Sequence, residues 1–568
     1  MTIRPLAGLT ARSVGRDLLA GVTLLAIAVP LNIGYAQIAG LPPTAGLYAL
    51  IVPTIIFVAV TSSRHVVASP DAAAAALVAS SVGGLAVAGS DQYLVMAMAQ
   101  AIISGIAFVV MAVFRLGFLA NFLSAPILVG FVAGLALDIL VSQIAKMLGV
   151  PIESGSEFLE KLGQLATGLP QTNVWALCIS VGSLMILLVG RRWVRVAPWA
   201  LVVIVVSTAV VAITGADQAG VDVLGEVTGG MPSVTWPILD WGTWIALVPS
   251  ALALTLVTVA EGLLLSRSYG ERHRYRTEPN RDLLAFGLTN IAAGASGSFA
   301  IGSSTSRSAA MEQAGARSQL PSIVTAAGTL LLLLFGTSAL ALIPSPAIGA
   351  VVAVAILPLL GIRELTRLWR VERGEFVVAA VCFAVTLLVG TIAGIAVAFV
   401  LALITVTRRA AAAPVDVLAA GEDGGAILET AGPGTLTAPG VLILRLSAPL
   451  FFANAASFVG AVKASVEAAD APVHHVVIDL ESVTDADVTA AEALTGLRGW
   501  LTERGIRLAF SRPREHLLPR LGRLGIIAGE LVFATNREAA DSLSAAGPSE
   551  GPSATTPDAS SPAGETSP

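Results

Sequence analysis

The residues best placed to do chemistry in this sequence fall in two short stretches. In "SPDA", Ser69 to Ala72, an aspartate follows a proline at the threshold of a run made almost wholly of alanine, valine, leucine and glycine. In "SSTSRSAA", Ser303 to Ala310, an arginine stands among hydroxyl residues where another helix should begin. A charge at the centre of a membrane span costs about 2.5–3.5 kcal/mol on insertion scales, so Asp71 and Arg307 each need a reason to be there. Two helices starting at these positions would point unsatisfied backbone N–H groups and positive dipole ends into one space, which suits an anion. Arg307 adds a permanent positive charge. Ser69, Ser304, Thr305 and Ser306 are hydroxyl donors, with helix capping as their ordinary alternative. An ionised Asp71 opposes an anion and is therefore expected to take up a proton when one binds. The alternative is a permanent Asp71–Arg307 ion pair that locks the two segments together.

The elements that position these residues belong to a membrane. The chain has 568 residues, is 55% hydrophobic and only 12% charged, and has a mean hydropathy of +0.82, outside the range of soluble domains. Roughly fourteen apolar segments, long enough to cross about 30 Å of hydrocarbon or to half-cross it in pairs, recur up to Arg409. They start near Leu18, Thr44, Pro70, Tyr93, Ala125, Val174, Pro198, Thr243, Asp282, Ser306, Pro321, Pro346, Phe376 and Ile392. The first is read as a retained span rather than a cleaved signal peptide. With both termini cytoplasmic, the inside segments hold nearly all the arginines, including Arg64, Arg115, Arg191, Arg192 and the Arg267 to Arg281 group, while the outside loops hold only Lys146 and Lys161. Halving fourteen spans gives seven plus seven, and the odd number per half makes the second half enter from the opposite side as an inverted repeat. The third and tenth spans are then counterparts, one carrying Asp71 and the other Arg307.

After residues 18–409, the transmembrane part, the pattern changes. Residues 410–434 read as a linker. Residues 435–545 read as a small α/β domain, with strands at "VLILRLSAPLFFANA", "HHVVIDL" and "IRLAFS" and helices at "DVTAAEALTGLRGWLTERG" and "REHLLPRLGRLGI". Residues 546–568, rich in Pro, Ser and Gly, read as a disordered tail. Cys178 and Cys382 both lie in apolar runs and read as core residues, and the five histidines show no ligand spacing, so neither a metal nor any other cofactor is expected. No basic patch marks a nucleic-acid partner, and no nucleophile–base constellation marks an enzyme. No "GxxxxGK[ST]" stretch occurs, so transport would draw on an ion gradient or on exchange. Asp138 lies in mid-span of the fifth segment, and Gly130 with Gly134 forms a GxxxG there, a spacing used in helix association.

These stretches resemble a known family. "VPLNIGYAQIAGLPPTAGLYALIVPTIIFVAVTSSR" (Val29 to Arg64) is similar to the signature of the sulfate permease (SulP) anion transporters. "AEGLLLSR", "NIAAGASGSFAIGSSTSRSAAMEQAGARSQL" and "DLESVTDADVTAAEAL" resemble that family's later motifs and its C-terminal STAS domain. Ala45 stands where the signature prefers tyrosine, and "SPD" replaces the usual "GP" and small residue. The resemblance implies a core domain of spans one to four and eight to eleven, a gate domain of spans five to seven and twelve to fourteen, a homodimer, and a substrate held between the third and tenth helices. It also implies an anion contact for Tyr35, a proton or coupling-ion site at Glu261, and at Thr489 a position where related domains carry a phosphorylatable hydroxyl; capping is the alternative there. The expected activity is secondary active transport of a small inorganic anion, sulfate or bicarbonate, by proton-coupled symport at the cell membrane. The alternatives are an uncoupled channel or exchanger for chloride or dicarboxylate, and a membrane signalling module worked by the STAS domain.

Overall fold

The computed structural model describes residues 6, 8–10, 13–121, 125–152, 156–193, 198–227, 229–411, 414–420, 428–432 and 434–545. The expected tail at 546–568 lies outside them. The membrane unit runs through α1 (Val14–Ile38), α2 (Pro43–Tyr48), α3 (Val52–Val60), β1 (Ala68–Ser69), α4 (Ala72–Val82), α5 (Asp91–Val113), α6 (Ala125–Leu148), α7 (Phe158–Gly168), α8 (Val174–Trp193) and α9 (Trp199–Thr214). It continues through α10 (Trp241–Arg272), α11 (Pro279–Ala295), β2 (Gly302–Ser303), α12 (Thr305–Gln313), α13 (Leu320–Phe335), α14 (Ser345–Ile356), α15 (Ile362–Val371), α16 (Arg373–Leu388) and α17 (Thr391–Ala411). Each expected span start lies close to the start of one of these helices. By length and composition, six helices among the described residues can cross a membrane, or seven if the bent pair at 158–190 is one span.

The exceptions carry the interest. α4 has 11 residues and α12 has 9, which at 1.5 Å per residue reach about 16 and 14 Å against a hydrocarbon core of about 30 Å. They are half-helices. Each is entered through a two-residue strand, and β1 pairs with β2 in antiparallel register, Ala68 opposite Ser303 and Ser69 opposite Gly302. Non-helical backbone at this depth is tolerable because its hydrogen bonds close within the protein. Ser304 N donates to Val67 O at 3.0 Å, and Val67 N to Ser308 Oγ at 2.9 Å. Asn290 holds the approach to β2 from both sides, accepting from Ile301 N at 2.8 Å and donating to Ile301 O at 3.0 Å.

Packing divides the helices into two groups. α5 lies against α10 and α11, α1 against α13, and α3 against α11, while α6 lies against α14 and α16, and α8 against α9 and α14. The first group corresponds to the core domain, the second to the gate. Small residues permit the closest crossings: a Cβ on Gly105 would stand 2.7 Å from Gly287 O, and one on Gly287 2.9 Å from Gly105 O. The GxxxG of α6 has the same use within the chain. A Cβ on Gly130 would reach Ala379 O at 2.1 Å and one on Gly134 would reach Phe383 O at 2.9 Å, so this spacing seats α16. Cys382 is buried, as expected, but Cys178 is exposed on α8.

The second unit holds β3 (Val415–Ala420), β4 (Leu428–Ala431), β5 (Val441–Leu446), α18 (Ala455–Glu467), β6 (His475–Asp479), α19 (Val488–Thr502), β7 (Arg507–Ser511), α20 (Leu518–Arg523), β8 (Val532–Phe533) and α21 (Asn536–Ala545). Its sheet order is β4-β3-β5-β6-β7-β8, parallel from β5 to β8, with β3 antiparallel to β5 and to β4. The segment 410–434 is therefore more than a linker, since it supplies β3 and β4; "VDVLAA" is too short and too rich in small residues to announce a strand. Buried Asp479 ties the sheet's carboxyl edge, accepting from Arg445 Nη2 at 2.7 Å and Asn536 Nδ2 at 2.8 Å.

Candidate functional site

The two half-helices begin where β1 and β2 end. Asp71 is the N-cap of α4, its Oδ1 accepting from Ala74 N at 2.7 Å. Its other oxygen lies over β2, where Gly302 makes room: a Cβ there would stand 2.1 Å from Asp71 Oδ2. Ser304 caps α12, and its Oγ accepts from Arg307 N at 3.4 Å and from Arg307 Nε at 2.8 Å.

Arg307 is fully buried and is the largest such side chain among the described residues. Its Nη1 donates to Asn32 Oδ1 at 2.7 Å, its Nη2 donates to Pro70 O, and the guanidinium lies 5.5 Å from the ring centre of Tyr35. The fork thus joins α1, the entry to α4 and the start of α12. The Asp71–Arg307 ion pair of the alternative reading is not among the salt bridges of the described residues. The physical reason is that the fork is occupied by neutral oxygens while the carboxylate is turned to cap α4. Three donor positions are in use, so two guanidinium N–H groups remain for another partner.

A cavity of about 70 Å³ opens beside this junction, lined by Tyr35, Asp71, Glu261, Ser303, Ser304, Thr305 and Ser306 together with apolar residues of α4, α6 and α14. This is room for a few waters or a small dehydrated ion. Ser306 and Ala355 also line a cavity of about 380 Å³ between α1, α9, α12 and α14, which reaches Thr23 and Gln313. Glu261 accepts no hydrogen bond from the described residues. Three buried polar atoms beside the junction are likewise unpartnered: Asn32 Nδ2, Ser69 Oγ and Ser303 Oγ. Buried hydroxyls and amides normally find partners, so these three atoms have hydrogen-bonding capacity left over for water or another polar group.

Of the residues singled out from sequence, Tyr35, Asp71, Ser304, Thr305, Ser306, Arg307 and Glu261 come together here, with Ser69 on β1 immediately behind Asp71. Asp138 does not join them; it pairs with Lys161 Nζ at 2.8 Å in a different cavity. Thr489 is exposed and is not a cap, because Asp487 two residues earlier takes that place, accepting from Ala490 N at 2.8 Å. Asn32 and Ser303 are the additions. Asn32 had a signal, a lone amide in the apolar run "VPLNIGY" behind a helix-interior proline.

A bundle in which two half-helices meet over a small polar cavity between a core and a gate group is the architecture of a membrane transporter, not of an enzyme. The sulfate permease family matches residues 15–382, and the STAS domain matches residues 433–539. A Probable sulfate transporter of Mycobacterium tuberculosis is 33% identical over 508 residues, 88% of this chain and 90% of the relative. The Low affinity sulfate transporter 3 of Stylosanthes hamata is 30% identical over 92% of this chain and 87% of the relative. Among solved structures, murine Solute Carrier 26 family member A9, an anion transporter in the inward-facing state, superposes with a TM-score of 0.86 at 22% identity, over 95% of this chain and 92% of that one. The transmembrane domain of a cyanobacterium bicarbonate transporter gives 0.63 at 21% identity, over 69% and 100%. The chain belongs to the sulfate permease family, and its activity is anion transport.

Proposed function

We propose that the protein moves sulfate together with protons, by alternating access of one site between the two faces of a cell membrane, with both chain termini cytoplasmic. The observation that carries this is a cavity lined by two carboxylates, Asp71 and Glu261, and by Ser303 to Ser306, with the unpartnered Ser303 Oγ among them and Arg307 held directly behind Ser304, bonded to Asn32 and Pro70. In this reading Arg307, Ser69, Ser303 to Ser306 and the α4 and α12 N-termini hold the anion, and Tyr35 floors the site. The names of the relatives favour sulfate over bicarbonate.

Charge balance supplies the coupling. The fixed groups are two carboxylates, one guanidinium and two helix ends of about +0.5 each, which sum to about zero. A divalent anion leaves the cavity close to −2, and each unbalanced like-charge pair at about 4 Å costs on the order of 4 kcal/mol at an effective dielectric near 20. Protons on Asp71 and Glu261 remove that charge, so anion and protons travel together, about one proton per negative charge.

The test is uptake of labelled sulfate by reconstituted protein with and without an inward proton gradient, competed by bicarbonate, chloride and dicarboxylates in turn. Asp71→Asn should keep sulfate exchange but lose its stimulation by the gradient, and Glu261→Gln should reduce that stimulation. Parental pH response in both variants would refute proton coupling through these residues. Large uncoupled anion current would favour the channel reading instead.

A further inference from the structure

A second polar cavity lies less than one helical turn beyond the central site. Along α4 the central lining ends at Ala73 and the new one begins at Ala76; along α6 the corresponding residues are Ala136 and Asp138. A turn of helix is about 5.4 Å. The cavity holds about 310 Å³ and sits between the end of α1, α4, α6, α7 and the end of α16. It therefore faces the side of the membrane on which α1 ends, away from the cavity that reaches Thr23 near the start of α1.

Its polar lining is unequally satisfied. Asp138 and Lys161 neutralise each other at 2.8 Å. Glu157 is committed to the start of α7, where it forms a capping box with Glu160. Lys146 has no carboxylate within salt-bridge distance among the described residues; its Nζ donates to Gln37 Oε1 at 3.2 Å, and the nearby carboxylate that attracts its charge, Asp222, is itself engaged by Ser345 Oγ at 2.8 Å. Gln143, one turn before it on the same face of α6, is 1% exposed, and neither Nε2 nor Oε1 of its amide has a partner. An ammonium with two free N–H groups and a buried, unpartnered amide in one cavity lack an acceptor that carries negative charge.

We propose that this cavity is a second anion site, in which Lys146 and Gln143 hold one small oxyanion on its way between the central site and the face where α1 ends. The proposal rests on anion transport by the central site. Gln37, on the core helix α1, orients the Lys146 ammonium of the gate helix α6, so the site bridges the two groups that must move against each other.

The experiment is labelled sulfate transport in proteoliposomes of known protein orientation, with the half-saturation concentration measured separately from each face. Lys146→Met and Gln143→Leu should each raise that concentration at the α1-end face by about tenfold or more, the size of losing one hydrogen bond to a charge. The value at the opposite face and the maximal rate should stay as in the parent. Lys146→Arg keeps the charge and should restore the value to within about threefold. Three results would overturn the proposal: no change in either variant, an equal change at both faces, or Gln37→Leu reproducing the full Lys146→Met effect, which would make Lys146 a latch. Failure of the parent to take up sulfate saturably is a separate result and would count against the transport reading itself.

Discussion

Asn32→Asp separates holding the arginine from binding the anion, because the two atoms of one amide have different work. Oδ1 accepts from Arg307 Nη1 at 2.7 Å, whereas Nδ2 is buried without a partner. The substitution preserves the shape and the acceptor, and turns the unpartnered donor into a negatively charged oxygen. An anion hydrogen-bonded to Nδ2 would sit about 2.9 Å from it, so the new carboxylate faces the substrate with charge centres about 4 Å apart. At an effective dielectric near 20 that repulsion is on the order of 4 kcal/mol, about three decades of affinity. Pairing with Arg307 absorbs part of this but also draws the guanidinium away from the substrate. The expected result is a half-saturation concentration for sulfate raised about a hundredfold or more, in a protein whose melting temperature in detergent is at least that of the parent. The reasoning is refuted if Asn32→Asp transports with half-saturation within about threefold of the parent. A companion, Asn32→Leu, leaves Arg307 Nη1 unpaired and should lower stability by about 1–3 kcal/mol, seen in the same melting assay.

Gly302→Ala alters no charge but drives a methyl group into Asp71, at 2.1 Å from Oδ2; overpacking of about 1–3 kcal/mol should displace the cap and abolish uptake, and normal uptake would show that Asp71 does not need this position. Arg307→Lys keeps a point charge but cannot serve Asn32, Pro70 and Ser304 together, so uptake should fall at least about tenfold while exceeding that of Arg307→Ala, measured in parallel with insertion. Asp479→Ala leaves Arg445 with Glu481 alone and removes the acceptor of Asn536 Nδ2 and Glu481 N, so it should destabilise the STAS domain by about 1–3 kcal/mol, visible as a lower-melting transition or faster limited proteolysis in the full chain. Truncation after residue 411 should retain residual uptake, whereas truncation after 434 leaves β3 and β4 without β5 and should aggregate, which size-exclusion chromatography in detergent distinguishes.

Much of the architecture was legible because membranes impose few solutions. Apolar length located the helices, and the parity of the spans made residues 69–72 and 303–310 counterparts before any contact was known. The pairing of Ala68 with Ser303 gives that equivalence its physical form. What could not be read was the allocation of hydrogen bonds. Opposite charges at equivalent helix starts invite an ion pair, but a guanidinium has five donors, and a backbone carbonyl, an amide and a capping hydroxyl claimed three of them. Asn32 was overlooked because a single amide in an apolar helix has no periodic signal, and Gly302 because one glycine among 55 does not announce which Cβ it must lack. The gate's Gly130 and Gly134 show the same limit, since their spacing specifies a close helix neighbour but not whose helix it is.

The carboxylates of the membrane unit give an independent argument for where its function lies. Buried Asp17 accepts from Arg317 N at 2.9 Å and Ser318 Oγ at 2.5 Å. Buried Asp282 accepts from Ser62 N at 2.7 Å, Ser62 Oγ at 3.0 Å, Thr61 Oγ1 at 2.9 Å and Ser266 Oγ at 2.6 Å. Both are held by donors on other segments of the fold, as a carboxylate that ties loops and helices together would be. Among the described residues Asp71 is bonded only by the backbone at the start of its own helix, and Glu261 has no hydrogen bond. An acid kept in an apolar bundle without donors gains nothing for stability, because burial of an unpaired charge costs far more than burial of a neutral group. Its retention is explained if its charge state must change during the transport cycle. The two under-satisfied acids line one cavity of about 70 Å³ together with the unpartnered Ser303, and with Ser304, which accepts from the buried arginine. Filling the donor set of either acid, for instance by Ala73→Ser beside Asp71, should therefore fix its ionised form and slow proton-driven uptake without removing any group that binds the anion; unchanged gradient stimulation in a variant shown to make the new bond would separate Asp71 from the proton.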